Sequence, residues 1–159
     1  MNEFLQSVID RDPAAKSKLS VILTYPGVKA VFFHRIANFF SIAKLYLLAR
    51  IISQFSRFLT GIEIHPKAKI GKNLFIDHGM GVVIGETSDI EKDVSIFQGV
   101  TLGGKGFESG KRHPNIKQGA TIFAASTVLG NITVGKNSIV AAGSLVLHNV
   151  DDNKTVAGV

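Results

Sequence analysis

From Ile64 to Asp151 an aliphatic side chain returns every six residues: at Ile64, Ile70 and Ile76, then Ile84, Ile90, Ile96 and Leu102, then Ile116, Ile122, Val128, Val134, Val140 and Val146. In most of these thirteen hexads a second small or apolar residue follows four places on, at Ala68, Leu74, Ser88, Val94, Val100, Ala120, Ser126, Ile132, Ser138 and Ser144. Both positions are expected to face inward. A unit this short cannot bury its own apolar side chains, so it must stack on copies of itself. Three hexads make one triangular coil, and the whole run gives roughly four coils standing on the order of 20 Å tall at the usual strand spacing. The fold expected is therefore mainly β, a parallel β-helix of hexapeptide repeats.

The period slips twice, and each slip carries a histidine. Ile76 to Ile84 spans eight residues instead of six, the extra ones following Asp77, His78 and Gly79. Leu102 to Ile116 spans fourteen, through Gly103-Gly104-Lys105-Gly106 and Arg112-His113-Pro114. In a locally consistent fold, departures from the rule are where function should be sought.

The residues ahead of the repeat read as helical. Asp12-Pro13-Ala14-Ala15 has the form of a helix start, with Asp12 capping backbone N–H groups, Pro13 in the first position and a short helix to about Ser20. Pro26-Gly27 opens a second helix, in which Val28, Phe32, Ile36, Phe39, Phe40 and Ala43 share an apolar side. In a third, Leu45, Leu48, Ile52, Phe55 and Leu59 recur at three and four, and Gly61 supplies the stop. The expected organisation is an α-helical cap over residues 1–60 and a β-helix over residues 61–159. The apolar segment from Val28 to Leu59 raises the question of a membrane span. Arg35, Lys44, Arg50 and Arg57 interrupt it, and no run approaches the roughly 18 apolar residues a span needs. A cap over the open end of the solenoid and a partner subunit is the expectation, with attachment to a membrane surface as its rival.

Cysteine is absent, so disulfides, thiolate metal sites and thiol nucleophiles are excluded, which fits a reducing compartment. The opening Met-Asn-Glu-Phe-Leu-Gln-Ser lacks the basic region and apolar run of a signal peptide. The net charge of +6 is scattered without a nucleic-acid motif, so an anionic small molecule is the expected beneficiary.

Among five histidines, two stand beside groups that suit chemistry. His78 adjoins Asp77, with Glu86 and Glu63 not far away in sequence. A histidine whose tautomer is fixed by a carboxylate is the usual equipment of a general base. His113 follows Arg112, which is suited to holding a carboxylate bidentately. The run Gly103 to Gly106 either lets backbone N–H groups approach an anion or simply marks a turn. For Asp12 a capping role competes with a ligand role. His34 is expected to be packed or solvent-exposed, His65 to be structural before Pro66, and His148 has no charged neighbour until Asp151.

With these residues assembled, the chain resembles the serine O-acetyltransferases, hexapeptide-repeat acyltransferases that make O-acetylserine for cysteine synthesis. The resemblance is carried by Arg11-Asp12-Pro13-Ala14, Gly61-Ile62-Glu63-Ile64-His65-Pro66, Ile76-Asp77-His78, Gly81 to Thr87, Gly99 to Gly104, Gly110 to Pro114 and Val156-Ala157-Gly158-Val159. It implies a left-handed β-helix, a hand that the usual crossover rule would not give. It implies that His78 takes the proton from the serine hydroxyl, which attacks acetyl-CoA directly, and that Glu63, in place of the family's usual aspartate, orients His78. Asp12 and Asp77 are then expected to receive the serine ammonium, Arg112 and His113 the carboxylate. Acetyl-CoA, as co-substrate, is expected along Gly103, Gly104, Lys105 and Ala124, with no metal or prosthetic group. The resemblance further implies cytoplasmic localisation, a homotrimer with sites between prisms, L-cysteine as feedback inhibitor and O-acetylserine sulfhydrylase as a partner. Because the family's Pro-Ala-Arg and flexible tail do not follow Val159, sulfhydrylase docking and full CoA binding are expected to be weakened.

Three rival readings stand beside this one. The first is a hexapeptide acetyltransferase for a sugar, an antibiotic or homoserine, against which Asp12, Asp77 and Arg112 suit the two charges of an amino acid. Another is a zinc hydratase using His65, His78 and His113 as ligands. The last is a non-catalytic assembly protein.

Overall fold

The computed structural model describes residues 2–106 and 109–158. Residues 107–108 of the glycine-rich loop and Val159 of the last motif therefore lie outside the described residues. Four helices come first: α1 (Asn2–Arg11), α2 (Lys18–Thr24), α3 (Pro26–Ile42) and α4 (Tyr46–Thr60). Very short strands then wind into three parallel faces. Face A stacks β1 (Glu63–Ile64), β4 (Val83–Ile84), β7 (Thr101–Gly103), β10 (Thr127–Leu129) and β13 (Leu145–Val146). Face B stacks β2 (Lys69–Ile70), β5 (Asp89–Ile90), β8 (Asn115–Ile116) and β11 (Thr133–Val134). Face C stacks β3 (Phe75–Ile76), β6 (Ser95–Ile96), β9 (Thr121–Ile122), β12 (Ile139–Val140) and β14 (Thr155–Val156).

The register explains why the hexad is strict. Ile64, Ile84, Leu102, Val128 and Val146 lie in one line up face A, Ile70, Ile90, Ile116 and Val134 up face B, and Ile76, Ile96, Ile122 and Val140 up face C. A shift of one residue would turn a whole line of side chains outward. Every one of these leads is buried, each isoleucine contributing about 1.5–3 kcal/mol over exposure. Of the ten partner positions, nine are buried and Ile132 partly so. The buried serines among them keep their hydroxyls satisfied where the coil allows it: Ser138 donates to Gly135 O at 2.7 Å and Ser144 to Ala141 O at 2.7 Å.

The solenoid runs further than the expected four coils. Val150 bridges to Val134 and adds a fifth rung to face B, and β14 pairs with β12, so face C reaches five strands as face A does. The hexad period hides this last coil, because the step from Val146 to Val150 is four residues.

The helical region differs from expectation at its start. No helix starts at Asp12: α1 ends at Arg11, and the Asp12 carboxylate accepts from Ala14 N at 2.8 Å in a local turn. Asp-Pro serves there as a stop, and the cap is Ser17, whose side chain accepts from Ser20 N ahead of α2. The helix α1, with buried Leu5 and Val8, has no counterpart in the sequence-based expectation. The inward faces of α3 and α4 are built mostly from small residues. In α3 the buried residues are Gly27, Ala30, Val31, His34, Ala37 and Ser41, and in α4 they are Ala49, Ser53, Ser56 and Thr60. Phe32, Phe39, Leu48, Phe55 and Leu59 are exposed. Small residues let these helices approach their neighbours closely, as at Gly27, where a Cβ would stand 2.3 Å from Ile76 O. Among the described residues no helix is long and apolar enough to cross a membrane.

Arg11 fastens the cap to the solenoid. Its guanidinium donates to Asn73 O at 2.6 Å and to Val94 O and Ser95 Oγ at 3.2 Å, and lies 5.2 Å from the centre of the Phe75 ring.

Candidate active site

The candidate residues fall on two different edges of the prism. The chain passes from face C to face A through residues 77–82, and from face A to face B through residues 85–88 and the long loop 104–114. His78 and Asp77 therefore stand on edge CA, with Glu63 on the adjoining strand β1 and Ala124 two coils above His78. Gly103, Gly104, Lys105, Arg112 and His113 stand on edge AB. One chain does not bring the two sets together.

On edge CA, the eight-residue step makes a turn in which His78, Gly79 and Gly81 all have positive φ, at 55°, 81° and 77°. His78 is a non-glycine residue held in the left-handed region, and its N–H is tied to Asp77 Oδ1 at 2.9 Å. The imidazole is 73% exposed, with Nε2 3.9 Å from Asp77 Oδ2. Among the described residues no hydrogen bond joins His78 to Glu63, whose carboxylate instead lies 3.1 Å from Arg57 Nη1. Glu86, near His78 in sequence, belongs to the other edge: it pairs with Lys67 at 2.9 Å and Arg112 at 3.5 Å.

Asp12 meets this edge through Tyr25, whose hydroxyl donates to Asp12 Oδ2. That hydrogen bond, with desolvation and the charges of Asp12 and Asp77, pushes the phenol up to about 12. Two carboxylates thus share the surroundings of one neutral phenol. Higher on the edge, Phe97 and Phe123 stack with centroids 4.9 Å apart, and Gln98 Oε1 is buried without a partner among the described residues.

Edge AB is built more tightly. Asn115 pairs with Asp89, and the same 26-residue offset lays His113 over Thr87. Thr87 Oγ1 accepts from Arg112 N at 3.0 Å and His113 N at 3.1 Å, and stands 2.8 Å from His113 Nδ1. The Thr87 backbone N–H donates to the same Nδ1 at 3.2 Å. Gly85 and Gly104 leave room for the ring: a Cβ on Gly85 would lie 2.0 Å from His113 Cδ2, and one on Gly104 3.4 Å from Nε2. His113 is only 7% exposed, and burial followed by the Arg112 charge lowers its pKa, favouring the neutral imidazole. Beside it lies a cleft of about 640 Å³ whose walls include Lys67, Lys69, Glu86, Thr87, Lys111 and Arg112. Four cations against the two carboxylates of Glu86 and Asp89 leave the cleft with a net positive charge, which attracts an anion.

Periodicity and spacing give no role to Thr87, Gly85 or Tyr25. Counting back from the β5–β8 register finds Thr87, but only once that register is known. Lys105 is exposed, near Gly130. His65 has its Nδ1 taken by Lys67 N at 3.2 Å. Among the described residues, no group of three or more His, Asp or Glu side chains converges as a metal would require, and His65, His78 and His113 do not form one.

No protein-family profile matches the chain. A curated relative from Bacillus pumilus, named serine acetyltransferase, is 58% identical over 159 residues, all of this chain and 73% of the relative. The solved serine acetyltransferase of Brucella abortus in complex with coenzyme A matches with a TM-score of 0.97 at 44% identity, over 99% of this chain and 63% of that one. A serine acetyltransferase structure in complex with cysteine matches with a TM-score of 0.96 at 43% identity, over 98% of this chain and 65% of that one. This chain thus spans just under two thirds of those solved chains. Their fold is a left-handed β-helix, and the hand expected above holds.

Proposed function

The chain belongs to the serine acetyltransferase family, and from that premise we propose that it transfers the acetyl group of acetyl-CoA to the hydroxyl of L-serine, giving O-acetylserine and CoA. The observation that carries the reading is the opposite charge of the two edges. Asp12 and Asp77 gather on edge CA, where an ammonium is attracted, and Arg112 stands with a neutral His113 on edge AB, where a carboxylate is attracted. An amino acid carries both charges, and a sugar acceptor such as glucosamine lacks the carboxylate.

In this mechanism His78 Nε2 accepts the proton of the serine hydroxyl as its oxygen attacks the thioester carbonyl. The tetrahedral species collapses with loss of the CoA sulfur, and the imidazolium returns the proton to that sulfur. No acyl-enzyme forms. Glu63 orients His78 once the Arg57 contact gives way, and until then Asp77 is the carboxylate nearest the imidazole. Gly103, Gly104, Lys105 and Ala124 flank the bound acetyl-CoA, with Lys105 toward a phosphate.

The working unit in this reading is a cyclic homotrimer in which edge CA of one subunit faces edge AB of the next. It is supported by the separation of His78 from His113 in one chain. L-cysteine, differing from serine by sulfur for oxygen, is the expected inhibitor at the same site. O-acetylserine sulfhydrylase is the expected partner, consuming the product, and the cytoplasm the expected compartment.

Thiol release from acetyl-CoA with and without L-serine tests the reading. The wild type is expected to release CoA only with serine, and His78→Ala to lose about 10²–10⁴ in kcat. Activity on glucosamine or homoserine in place of serine would contradict the assignment.

A further inference from the structure

We propose that Thr87 is a positioning residue that fixes His113 as the neutral tautomer with its proton on Nε2, so that the ring meets the substrate as a hydrogen-bond donor and not as a base. The proposal rests on the assigned reaction only for the identity of the acceptor, the serine carboxylate. The tautomer itself follows from the geometry.

His113 Nδ1 lies 3.2 Å from the Thr87 backbone nitrogen. A backbone N–H can only donate, so Nδ1 must be the acceptor. The Thr87 hydroxyl stands 2.8 Å from the same ring nitrogen. Its oxygen already accepts two backbone N–H groups, from Arg112 and from His113. A hydroxyl has two lone pairs and one hydrogen. With both lone pairs engaged, the hydrogen is left to point at Nδ1. Two donors thus converge on Nδ1, and the proton of the neutral ring sits on Nε2.

Nε2 is directed into the space that the two glycines leave, 2.1 Å from where a Cβ of Gly85 would be and 3.4 Å from where one of Gly104 would be. The same hydroxyl holds the backbone of Arg112, so one side chain aligns both groups that receive the carboxylate. Thr87 acts through His113 and Arg112 and needs no contact with substrate.

Full-length protein carrying isotopically labelled histidine reads the tautomer by nitrogen NMR, with the His113 signals assigned by their loss in His113→Asn. In the wild type, Nδ1 is expected at the position of an unprotonated ring nitrogen and Nε2 at that of a protonated one. Thr87→Ser keeps the hydroxyl and should keep both the pattern and the serine KM within about twofold. Thr87→Val keeps the shape and removes the hydroxyl; it should mix the tautomers and raise serine KM about tenfold, with kcat changed less. A wild-type Nδ1 that carries the proton overturns the proposal. So does a Thr87→Val protein whose His113 spectrum matches the wild type. If Thr87→Val does not fold, the wild-type and Thr87→Ser spectra decide. The spectrum needs no turnover, so a failure of the serine reaction and a failure of the Thr87 role are read separately.

Discussion

Edges AB and CA of the prism each carry a histidine next to charged residues, and they hold it in opposite ways. On edge AB the His113 ring is buried, clasped between Gly85 and Gly104, and bound at Nδ1 by two groups of Thr87. On edge CA the His78 ring is 73% exposed on a positive-φ turn, with its nearest carboxylate 3.9 Å away. A group that must present a fixed donor gains from burial and a locked tautomer. A group that must take up and return a proton needs access to the reacting atoms and freedom to complete its contacts when substrate and neighbour arrive. In the proposed mechanism the two edges differ because their histidines do different chemistry: edge AB is finished within the chain, while edge CA is finished by what docks on it.

The largest effect expected from disturbing this contrast is at Gly85. Gly85→Ala puts a methyl 2.0 Å from His113 Cδ2, so the ring must leave its place. Activity with serine should fall on the order of 100-fold, with the His113 nitrogen spectrum altered and the fold retained by circular dichroism. Unchanged kinetics would mean that the clasp on edge AB has no bearing on the reaction.

The solenoid is legible in the sequence because its period is the fold: each hexad lead faces the axis, and the register follows. The two slips fall on the two candidate edges, which is what makes His78 and His113 visible as candidates. The helical cap is less legible for a physical reason. In α3 and α4 many of the large apolar side chains point away from the chain's own core, so hydrophobic periodicity locates the helices without telling which face turns inward. Asp12 reads wrongly as a helix cap because Asp-Pro signals both a start and a stop, and only the preceding α1 decides between them. Thr87 and Tyr25 are out of reach of sequence, since their roles depend on neighbours 26 and 13 residues away.

A smaller effect is expected on the other edge. Tyr25→Phe removes the hydroxyl that Asp12 accepts from, leaving the carboxylate less firmly placed. Serine KM should rise about threefold with kcat little changed. The same substitution should alter the alkaline limb of stability. The Tyr25 pKa is raised from 10.0 to about 12, so the stability that goes with the neutral phenol is complete below pH 10.0 and is lost as pH rises toward 12. Thermal melts across that window should be flatter in Tyr25→Phe; identical slopes would remove Tyr25 from the account.

The smallest expected effect concerns pH on edge AB. The His113 pKa lies below its ordinary 6.5, so the neutral ring persists down to that pH and protonates only on the acid side. Protonation would end the acceptor role of Nδ1. Serine KM should therefore stay level within about twofold from about pH 8 down to 6.5 and climb below it. A climb that starts above pH 6.5 would show that burial does not hold the ring neutral.

The most direct test of the central claim, that the two edges act together from different chains, is complementation between two inactive variants. His78→Ala has a dead edge CA and an intact edge AB; His113→Ala has the reverse. Each alone should be nearly inactive. Unfolded together and reassembled in equal amounts, they should recover about a quarter of wild-type activity, because in a randomly mixed cyclic trimer about one boundary in four joins two intact edges. Recovery to that level establishes a site shared across the boundary. A mixture no more active than its components, with mixed trimers demonstrated by tagged pull-down, would contradict it.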